Sequence, residues 1–490
     1  MKRTIRHSAG RLLTAALALV LAAALLVPCS ALAAEENAGL SQSIGSAMGR
    51  IDQFSELLDK HGDFCLTIEP SSDLLDMLSS ETEVDLSWIE EVKLRASSDV
   101  KLLKTFTTIA LELNGDMLIT AEELTDLDEG MMFVRIPDLS DQCFSLDLFE
   151  QSGMSPEMMR SMVYEIMGTM VRLSELELDE GALAAYAAEV QEFVVPEAAG
   201  KEVVEAQGIS AVYDASVITL TGSDIKEITA ATARFALESE QIREIILELE
   251  RMTQTELYPE FVEAMNEMAA GPEGLEDVEI TLTLYTDEQG MPHGETVAMN
   301  GTELGRLLIP ADGDDFGFEY SVFANETTVS LVGSGVKSDD SISGSFTVLA
   351  SQYDDQRDVC YIDISDLVVK ADEGYCAGEI SLTPSRDILD GLVSDPYVRL
   401  LLRNASLVTS FEIDKDSCDV TLNLLDGSDS FVKLRIESAS GGKASIPEIG
   451  EAVDQDTWMQ NVYSSGALEE FMQRLYETDI PDELLDSLMQ

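Results

Sequence analysis

The sequence predicts an α+β fold in which a long curved antiparallel sheet of half-barrel type packs on a block of helices, as one or two linked units. From Val278 to Glu437, apolar and polar residues alternate with a period of two, which is typical of strands with one buried and one solvated face. Residues 154–270 have a helical period instead, and separate blocks of strands and helices indicate an α+β protein. A twisted sheet of many strands curls, so we expect a concave apolar face.

The composition limits the class of protein. The chain has 490 residues, with 93 Asp and Glu against 30 Lys and Arg, for a net charge of −63. This charge disfavours nucleic acid and anionic lipid surfaces as partners. Hydrophobic residues make up 45% of the chain, which indicates a folded protein rather than an acidic tail. Because single cores rarely grow beyond about 300 residues, the length favours two sub-cores or one composite sheet.

Residues 1–33 have the features of a signal peptide. Four basic residues precede an apolar run over residues 12–27, and Ala31-Leu32-Ala33 supplies the small side chains that signal peptidase accepts. Removal of residues 1–33 leaves 26 basic residues against 93 acidic ones, a net charge of −67. A retained membrane helix is disfavoured because the run is shorter than the roughly 20 residues that a span needs. Lipid anchoring at Cys29 is the other alternative, although Pro28 stands where a lipobox has a small residue. We expect a protein that is secreted or on the extracellular face of the cell envelope, with no membrane span after cleavage.

Residues 34–270 are predicted to hold an N-terminal helix, a small sheet and a helical block. Apolar residues recur every three or four positions from Leu40 to Leu58, which indicates an amphipathic helix. The Asn114-Gly115 pair between two apolar runs predicts a β-hairpin. Two shorter strands are expected at Met131–Ile136 and Cys143–Leu148.

The helical block opens with a methionine-rich helix over residues 155–173. One face of it carries Met158, Met162, Ile166 and Met170. Flexible methionine side chains fill irregular core space, and they also form adaptable walls for variable apolar ligands, so both interpretations stay open. Further helices are expected through Ala182–Val190, after a cap at Thr221 or Ser223, and along a stripe of apolar residues, Ile242, Ile245, Ile246, Leu249 and Met252.

Residues 271–437 are predicted to form an antiparallel meander of about nine strands. Within it, Phe318 and Tyr320 share the apolar face of one strand, which we expect to be buried while Gly317 and Glu319 face water. The change of period places a boundary at 269–274. Residues 438–490 are predicted to form a linker and C-terminal helices.

Five cysteines remain after the leader: Cys65, Cys143, Cys360, Cys376 and Cys418. Their odd number and wide spacing predict neither a zinc site nor a disulfide framework. Cys360 and Cys376 are the nearest pair, so a single bridge between neighbouring strands is the expected exception. Cys418 lies in an alternating run, where a small buried hydrophobic residue is the ordinary interpretation.

No motif for catalysis or cofactor binding occurs in the sequence. Only His61 and His293 remain after the leader, and His293 lies in a predicted turn at 289–294. This disfavours a histidine-based triad and a two-histidine metal site, and no nucleophile elbow or Gly-rich phosphate loop is present. Paired carboxylates are uninformative in so acidic a chain. We therefore predict a non-catalytic protein with no cofactor.

One acidic loop is a candidate for weak calcium binding. Asp312, Asp314 and Asp315 surround Gly313, and clustered carboxylates hold Ca²⁺ in extracellular proteins. The spacing does not match an EF-hand, and an ordinary acidic turn is the alternative. Three glycosylation sequons, at Asn300, Asn325 and Asn404, are interpreted as unmodified turns.

Three segments resemble a group of secreted and lipid-anchored Gram-positive bacterial proteins of uncharacterised function. They are MMFVRIPDLSDQCFSLDL (131–148), SVITLTGSDIKEI (216–228) and residues 305–349. That group is similar in architecture to the Lol-type lipoprotein-carrier half-barrels. The resemblance implies a curved antiparallel sheet wrapped around helices, and it transfers no functional residues.

Two functions are consistent with these patterns. The first is binding of a hydrophobic ligand, such as a lipid, on the concave face of the sheet, with Met158, Met162, Ile166, Met170, Phe318 and Tyr320 as candidate contacts. The second is a structural or interaction protein of the cell surface, with a filled core and an acidic exterior that meets a cationic partner.

Overall fold

The computed structural model describes most of the chain after residue 58. The described residues are 59–148 (apart from 83 and 102), 158, 161, 164, 180–386 (apart from 254, 272–273, 325–326, 339, 353–354 and 371–372) and 404–485 (apart from 449, 451 and 483). They form mainly antiparallel sheet, accompanied by helices, which confirms the predicted sheet. The predicted signal peptide, Cys29 and the Leu40–Leu58 helix lie outside these residues. None of the helices within the described ranges has the length and apolar content of a membrane span.

Most strands are long arms of hairpins, and a few have only two to five residues. In chain order they are β1 (Asp59–Pro70), β2 (Val92–Lys101), β3 (Lys104–Leu113), β4 (Asp116–Asp126), β5 (Met131–Arg135), β6 (Cys143–Asp147), β7 (Glu197–Ala206), β8 (Ile209–Thr221), β9 (Glu279–Thr286), β10 (Pro292–Met299), β11 (Thr302–Leu308), β12 (Ala311–Asp312), β13 (Asp315–Ala324), β14 (Thr327–Ser338), β15 (Ser341–Gln352), β16 (Asp355–Lys370), β17 (Tyr375–Pro384), β18 (Ala405–Ile413), β19 (Ser417–Asp426), β20 (Asp429–Ser440) and β21 (Ala452–Asp454).

The helices of the described ranges lie in three places along the chain. They are α1 (Ser72–Thr82), α2 (Glu180–Gln191), α3 (Gly222–Glu238), α4 (Glu240–Thr253), α5 (Tyr258–Ala269), α6 (Gln455–Ser465) and α7 (Ala467–Leu475). Helices α2 to α5 correspond to the predicted helical block, but the hairpin β7–β8 interrupts it, so the block is only in part helical.

The chain divides into two compact units. Among the described residues, the first contains 180–337 and 346–358, and the second contains 59–148, 158, 161, 164, 338–345 and 359–485. The predicted segments 34–270, 271–437 and 438–490 do not coincide with these units, and the expected boundary at 269–274 lies inside the first unit. The reason is strand pairing across these boundaries, because β8 pairs with β9 within the first unit and β1 pairs with β20 within the second.

The sheet of the second unit has the chain's early and late strands side by side. Main-chain pairing runs in the order β16, β17, β18, β19, β20, β1, β2, β3, β4, β5 and β6, always antiparallel. Strand β21 then extends the edge by pairing parallel to β6. Because β1 is central, each of its two edges is paired with a long strand, β20 on one edge and β2 on the other.

The sheet of the first unit coils back on itself. Its order is β7, β8, β9, β10, β11, β13 and β14, with β12 paired to β13. Four strands separate β7 from β13, which in a flat sheet would place them about 24 Å apart. Yet a Cβ at Gly317 on β13 would lie 2.1 Å from the Ala206 carbonyl oxygen on β7, so only glycine fits this close approach.

Helix α3 begins where the sequence predicted a cap. The Asp224 N–H donates to Thr221 Oγ1 at 3.3 Å, and the Thr221 N–H donates to Asp224 Oδ2 at 2.8 Å, which is a capping box. This helix packs on one face of β8 and β9, where Ile218 and Leu282 form a core with Ile228.

Two hairpins use Asn-Gly turns. Asn114 and Gly115 have φ values of 52° and 90°, and Asn300 and Gly301 have 50° and 75°. Positive φ at both central residues defines the type I′ turn, which matches the twist of the flanking strands. The predicted hairpin at Asn114-Gly115 and the predicted turn at Asn300 are thus confirmed.

The prediction for the faces of β13 was wrong. Gly317 and Ser321 are buried, whereas Tyr320 and Val322 are 50% and 42% exposed. The buried side is covered by the β7–β8 hairpin, because the sheet curls toward that face. Ser321 keeps its hydroxyl satisfied there through Ser330 Oγ at 2.8 Å and Glu319 Oε1 at 2.9 Å. Alternation therefore predicted the strand correctly but assigned its two sides wrongly.

Two smaller predictions were also wrong. His293 does not lie in a turn but in β10, and the turn comes before it, at residues 287–291. The predicted bridge between Cys360 and Cys376 is absent, since neither forms a disulfide. Cys360 and Cys376 do lie on neighbouring strands, but Cys360 is opposite Pro384 while Cys376 is opposite Val369. That register separates them by about 30 Å along the strands, far beyond the reach of a disulfide.

Candidate functional site

Of the six residues predicted to contact a ligand, Met158, Phe318 and Tyr320 lie within the described residues. Met158 is 63% exposed, and Met162, Ile166 and Met170 lie outside the described residues. Phe318 packs edge-on against Phe346, with ring centroids 5.7 Å apart. Gly333 stands opposite Phe318 on β14. The methionine helix and the β13 aromatics therefore remain predictions.

The predicted calcium loop is an ordinary hairpin end in this fold. Asp312 and Asp315 are directly opposed in the β12–β13 pair, Gly313 and Asp314 form the turn, and all are exposed. Within the described ranges, no group of three or more His, Cys, Asp or Glu side chains is placed to hold a metal ion. The calcium hypothesis therefore stays a prediction.

Both histidines have structural partners. His293 stacks on Tyr213 with centroids 4.5 Å apart, and its Nδ1 lies 3.1 Å from the Ile309 carbonyl. His61 Nδ1 lies 3.1 Å from Asp99 Oδ1, and its Nε2 lies 3.3 Å from Asp63 Oδ2. The hydrogen bond with Asp99 raises the pKa of His61.

The second unit's sheet separates apolar from charged residues over almost its whole width. Residues directly opposite one another on paired strands share a face, so the pairing defines rows that cross the sheet. One such row is entirely apolar across eight strands: Gly378, Phe411, Val420, Ile436, Leu66, Leu94, Leu111 and Ile119. The next row on the same side is Ile364, Ile380, Thr409, Leu422, Leu434, Ile68, Val92 and Leu113. We call this side the apolar face.

A third row of the apolar face alternates large and small side chains. It runs Val369, Cys376, Ile413, Cys418, Ser438, Phe64, Ala96, Ile109 and Ala121 across nine strands. Four of these, Val369, Ile413, Phe64 and Ile109, are each at least 38% exposed. The row therefore offers apolar contact area that the described part of the protein leaves uncovered.

Small residues of this row and of the adjacent one line a groove of about 400 Å³, which we call the apolar groove. Cys418 and Ser438 lie between its walls, Phe64 and Ile413, and the adjacent small residues are Gly62, Ala96, Ser98 and Ser440. The loop Asp414–Ser417 closes one end. Because no large side chain stands between the two walls, the groove has the width and lining suited to an alkyl chain.

The opposite side of the same strands, which we call the charged face, carries ion pairs. Its rows are Ala377, Glu412, Asp419, Glu437, Cys65, Arg95, Ala110 and Thr120, and then Ser365, Glu379, Ser410, Thr421, Arg435, Thr67, Lys93 and Glu112. Arg435 binds both oxygens of Asp419, through Nε at 3.1 Å and Nη2 at 2.8 Å, and also reaches Glu437 at 3.1 Å. Arg95 Nε lies 2.9 Å from Glu112 Oε1. The Arg435 guanidinium lowers the pKa of Asp419.

The sequence did not identify the centre of this site. Neither β1 nor β2 was predicted, although Phe64, Leu66 and Ile68 alternate with polar residues on β1. On β2, Leu94 and Ala96 alternate with Lys93 and Arg95. The period-two signal was therefore present but short. The sequence could not show that β1 pairs with β20, since β20 lies about 370 residues further along the chain.

Comparisons with known proteins give no family. No protein-family model and no curated protein matches the chain. Solved structures with some likeness include Salmonella typhi OmpF in complex with daunomycin, at 6% identity over 78% of this chain and 96% of that chain, with a TM-score of 0.19. Pseudomonas aeruginosa OccK11 (OpdR) has 6% identity, 78% and 94% coverage and a TM-score of 0.14. The CymD monoaromatic hydrocarbon channel has 8% identity, 83% and 94% coverage and a TM-score of 0.15. At these scores the likeness carries no argument.

Proposed function

We propose that this chain is a non-catalytic, secreted cell-envelope protein that binds a hydrophobic ligand with an alkyl chain, such as a lipid, on the apolar face of its second unit. The observation that carries the proposal is the apolar groove, with its small-residue floor between Phe64 and Ile413. The signal peptide and the half-barrel resemblance agree with it.

The energetics favour occupation of this groove. Exposed apolar area costs free energy in water, at about 25 cal/mol for each Å². Soluble proteins rarely leave such area contiguous, and a patch of this kind marks a binding site. Phe64 and Ile413 lie on one row with Cys418 and Ser438 between them, so an alkyl chain seated between the two walls would contact both.

The groove also explains why the floor contains cysteine and serine. Cys418 and Ser438 are directly opposed at its centre, flanked by Ala96 two strands beyond Ser438. A leucine or valine at Cys418 or Ser438 would fill the space between the walls. Small side chains here keep the groove open at the cost of core packing, which is a trade expected of a binding site rather than of a structural core.

The first test is native mass spectrometry of the mature protein made in its host. We expect an added mass of an acyl-chain compound that is lost on extraction with organic solvent. A titration with a fluorescent dodecyl probe then measures binding in the delipidated protein. Absence of both co-purified ligand and probe binding would reject the proposal.

A matched pair of variants locates the site. Ala96 lines the apolar groove, while Ser97, next to it on β2, faces the other side of the sheet. Ala96→Phe should fill the groove and weaken probe binding at least about tenfold. Ser97→Phe adds the same ring to the charged face and should leave binding within about twofold. Equal loss in both variants would mean that the probe binds elsewhere.

The alternative is an interaction protein of the cell surface. It is favoured by the net charge of −63, which would attract a cationic envelope partner. It predicts association that weakens steeply with salt, and no dependence on Ala96→Phe. The same variant therefore separates the two functions.

A further inference from the structure

The first unit's sheet has an open edge at β7. The β7–β8 hairpin turns at Gln207-Gly208, whose φ values of 50° and 79° define a two-residue type I′ turn. Such a turn makes Ala206 and Ile209 the closing hydrogen-bonded pair. Every second residue back along β7 then bonds to β8, and the residues between direct their main-chain N–H and C=O groups to the open edge. These outward residues are Lys201, Val203 and Glu205. Within the described residues their main-chain groups have no hydrogen-bond partner.

The side chains along this edge form an exposed apolar pair between two opposite charges. Val203 is 68% exposed, and Val212, directly opposite it on β8, is 59% exposed. Lys201 and Glu205 lie on the same face as Val203, two residues to either side of it, because side chains alternate along a strand. Both charged side chains are exposed as well. The edge therefore offers unpaired main chain, apolar area and charge in one place.

These charges make the edge complementary to itself in one register. Charged side chains on an edge strand normally prevent pairing with another chain. Here the two charges are opposite in sign and equally far from Val203. In antiparallel pairing centred on Val203, Lys201 of each copy stands opposite Glu205 of the other copy. A shift by two residues in either direction loses both ion pairs, and parallel in-register pairing places like charges side by side.

We propose that β7 pairs antiparallel with β7 of a second copy of this chain, centred on Val203, and so joins two molecules into a dimer. The outward main-chain groups of the two strands face one another in this register, so each of the three outward residues exchanges two hydrogen bonds with its opposite residue. On the exposed face, Val203 and Val212 of both copies form one row of four valines across four strands. The interface uses only residues of the first unit, so it does not depend on the alkyl-binding function proposed above.

The first measurement is sedimentation equilibrium of the full-length mature protein over a range of concentrations. It is made at about 0.15 M salt, because so acidic a chain repels its own copies at lower ionic strength. We expect a reversible equilibrium between monomer and dimer. A monomer mass at every concentration up to about 0.1 mM would overturn the proposal, in favour of a strand from another protein as the occupant of the edge.

A matched pair of variants at Val203 tests the main-chain pairing. Val203→Pro removes an N–H that the β7–β8 hairpin does not use, so the chain should fold while dimer affinity falls at least about tenfold. Val203→Thr keeps both the N–H and a β-branched side chain, and should leave the affinity within about threefold. A thermal melt shows that each variant is folded. A dimer that survives Val203→Pro in a folded protein would lie at another surface and would overturn the assignment.

Exchange of the two charges tests the register. Lys201→Glu and Glu205→Lys each place like charges opposite one another in the dimer, and each should weaken it at least about tenfold. In an equimolar mixture, the acid introduced in one variant meets the base introduced in the other, so a heterodimer should form within about threefold of the original affinity. Lys201 Nζ also lies 3.5 Å from Glu288 and 4.0 Å from Asp214, but all three side chains are at least half exposed, so the fold should tolerate the exchange. Absence of the heterodimer from a mixture of two folded variants would contradict the antiparallel register.

Discussion

The apolar face and the charged face of the second unit are built from the same strands, because successive residues of each strand lie on opposite faces. On β19, Leu422 belongs to the apolar face, while Thr421 stands opposite Arg435 on the charged face. The apolar face is continuous and has a groove in it, whereas the charged face fills its rows with paired acids and bases. The difference indicates that one side is arranged to receive a ligand, while the other is partly covered by the protein itself, since Thr67 and Glu112 there are only 5% and 8% exposed.

A charge placed on each face in turn should give the largest difference in stability between the apolar face and the charged face. Leu422→Asp should cost about 2–3 kcal/mol of unfolding free energy, because its carboxylate would sit among apolar side chains with no partner. Thr421→Asp should cost less than about 0.5 kcal/mol, because its carboxylate would lie across from the Arg435 guanidinium. Urea unfolding of both variants measures the difference. Similar losses would show that the two faces are not chemically distinct.

Native cysteines allow the two faces to be probed without substitution. Cys418 lines the apolar groove, and Cys65 lies on the charged face, each half-buried. Saturating dodecyl maltoside, held below its micelle concentration, should slow alkylation of Cys418 by about tenfold and leave Cys65 unchanged, because only the ligand-free groove exposes Cys418. Peptide mass spectrometry after a timed maleimide pulse gives both rates. Protection of Cys65 together with Cys418 would indicate general tightening of the sheet instead.

The Arg435–Asp419 pair tests how much the charged face contributes. Both side chains are more than 40% exposed, so Arg435→Gln should lower stability at neutral pH by less than about 1 kcal/mol. Arg435 lowers the pKa of Asp419 in the folded state. The stabilisation it provides is therefore present above the unfolded pKa and is lost as the pH falls through the folded one. Acid titration of unfolding should show a shallower acid limb in the variant, and an unchanged limb would contradict this role.

The sequence predicted individual strands of these faces better than their assembly. Alternation from Cys418 to Leu424 identified β19 and which of its residues share a side, because the side-chain period of a strand is fixed at two. It could not identify Phe64 and Ser438 as neighbours, since the register between β1 and β20 depends on packing between distant segments. The same limit explains β13, where the period was right and the buried side was wrong because the β7–β8 hairpin covers it.

The smallest expected effect concerns His61 and its partner Asp99 on the charged face. The hydrogen bond with Asp99 raises the pKa of His61, and Asp63 on the other ring nitrogen acts in the same direction. A raised folded pKa means that this stabilisation is complete below about pH 6.5 and is lost as the pH rises through the folded value. Between pH 6 and 8, unfolding free energy should fall by less than about 0.5 kcal/mol after screening. In His61→Gln this fall should vanish, because glutamine does not titrate, while the apolar groove on the other face should bind the dodecyl probe unchanged at both pH values.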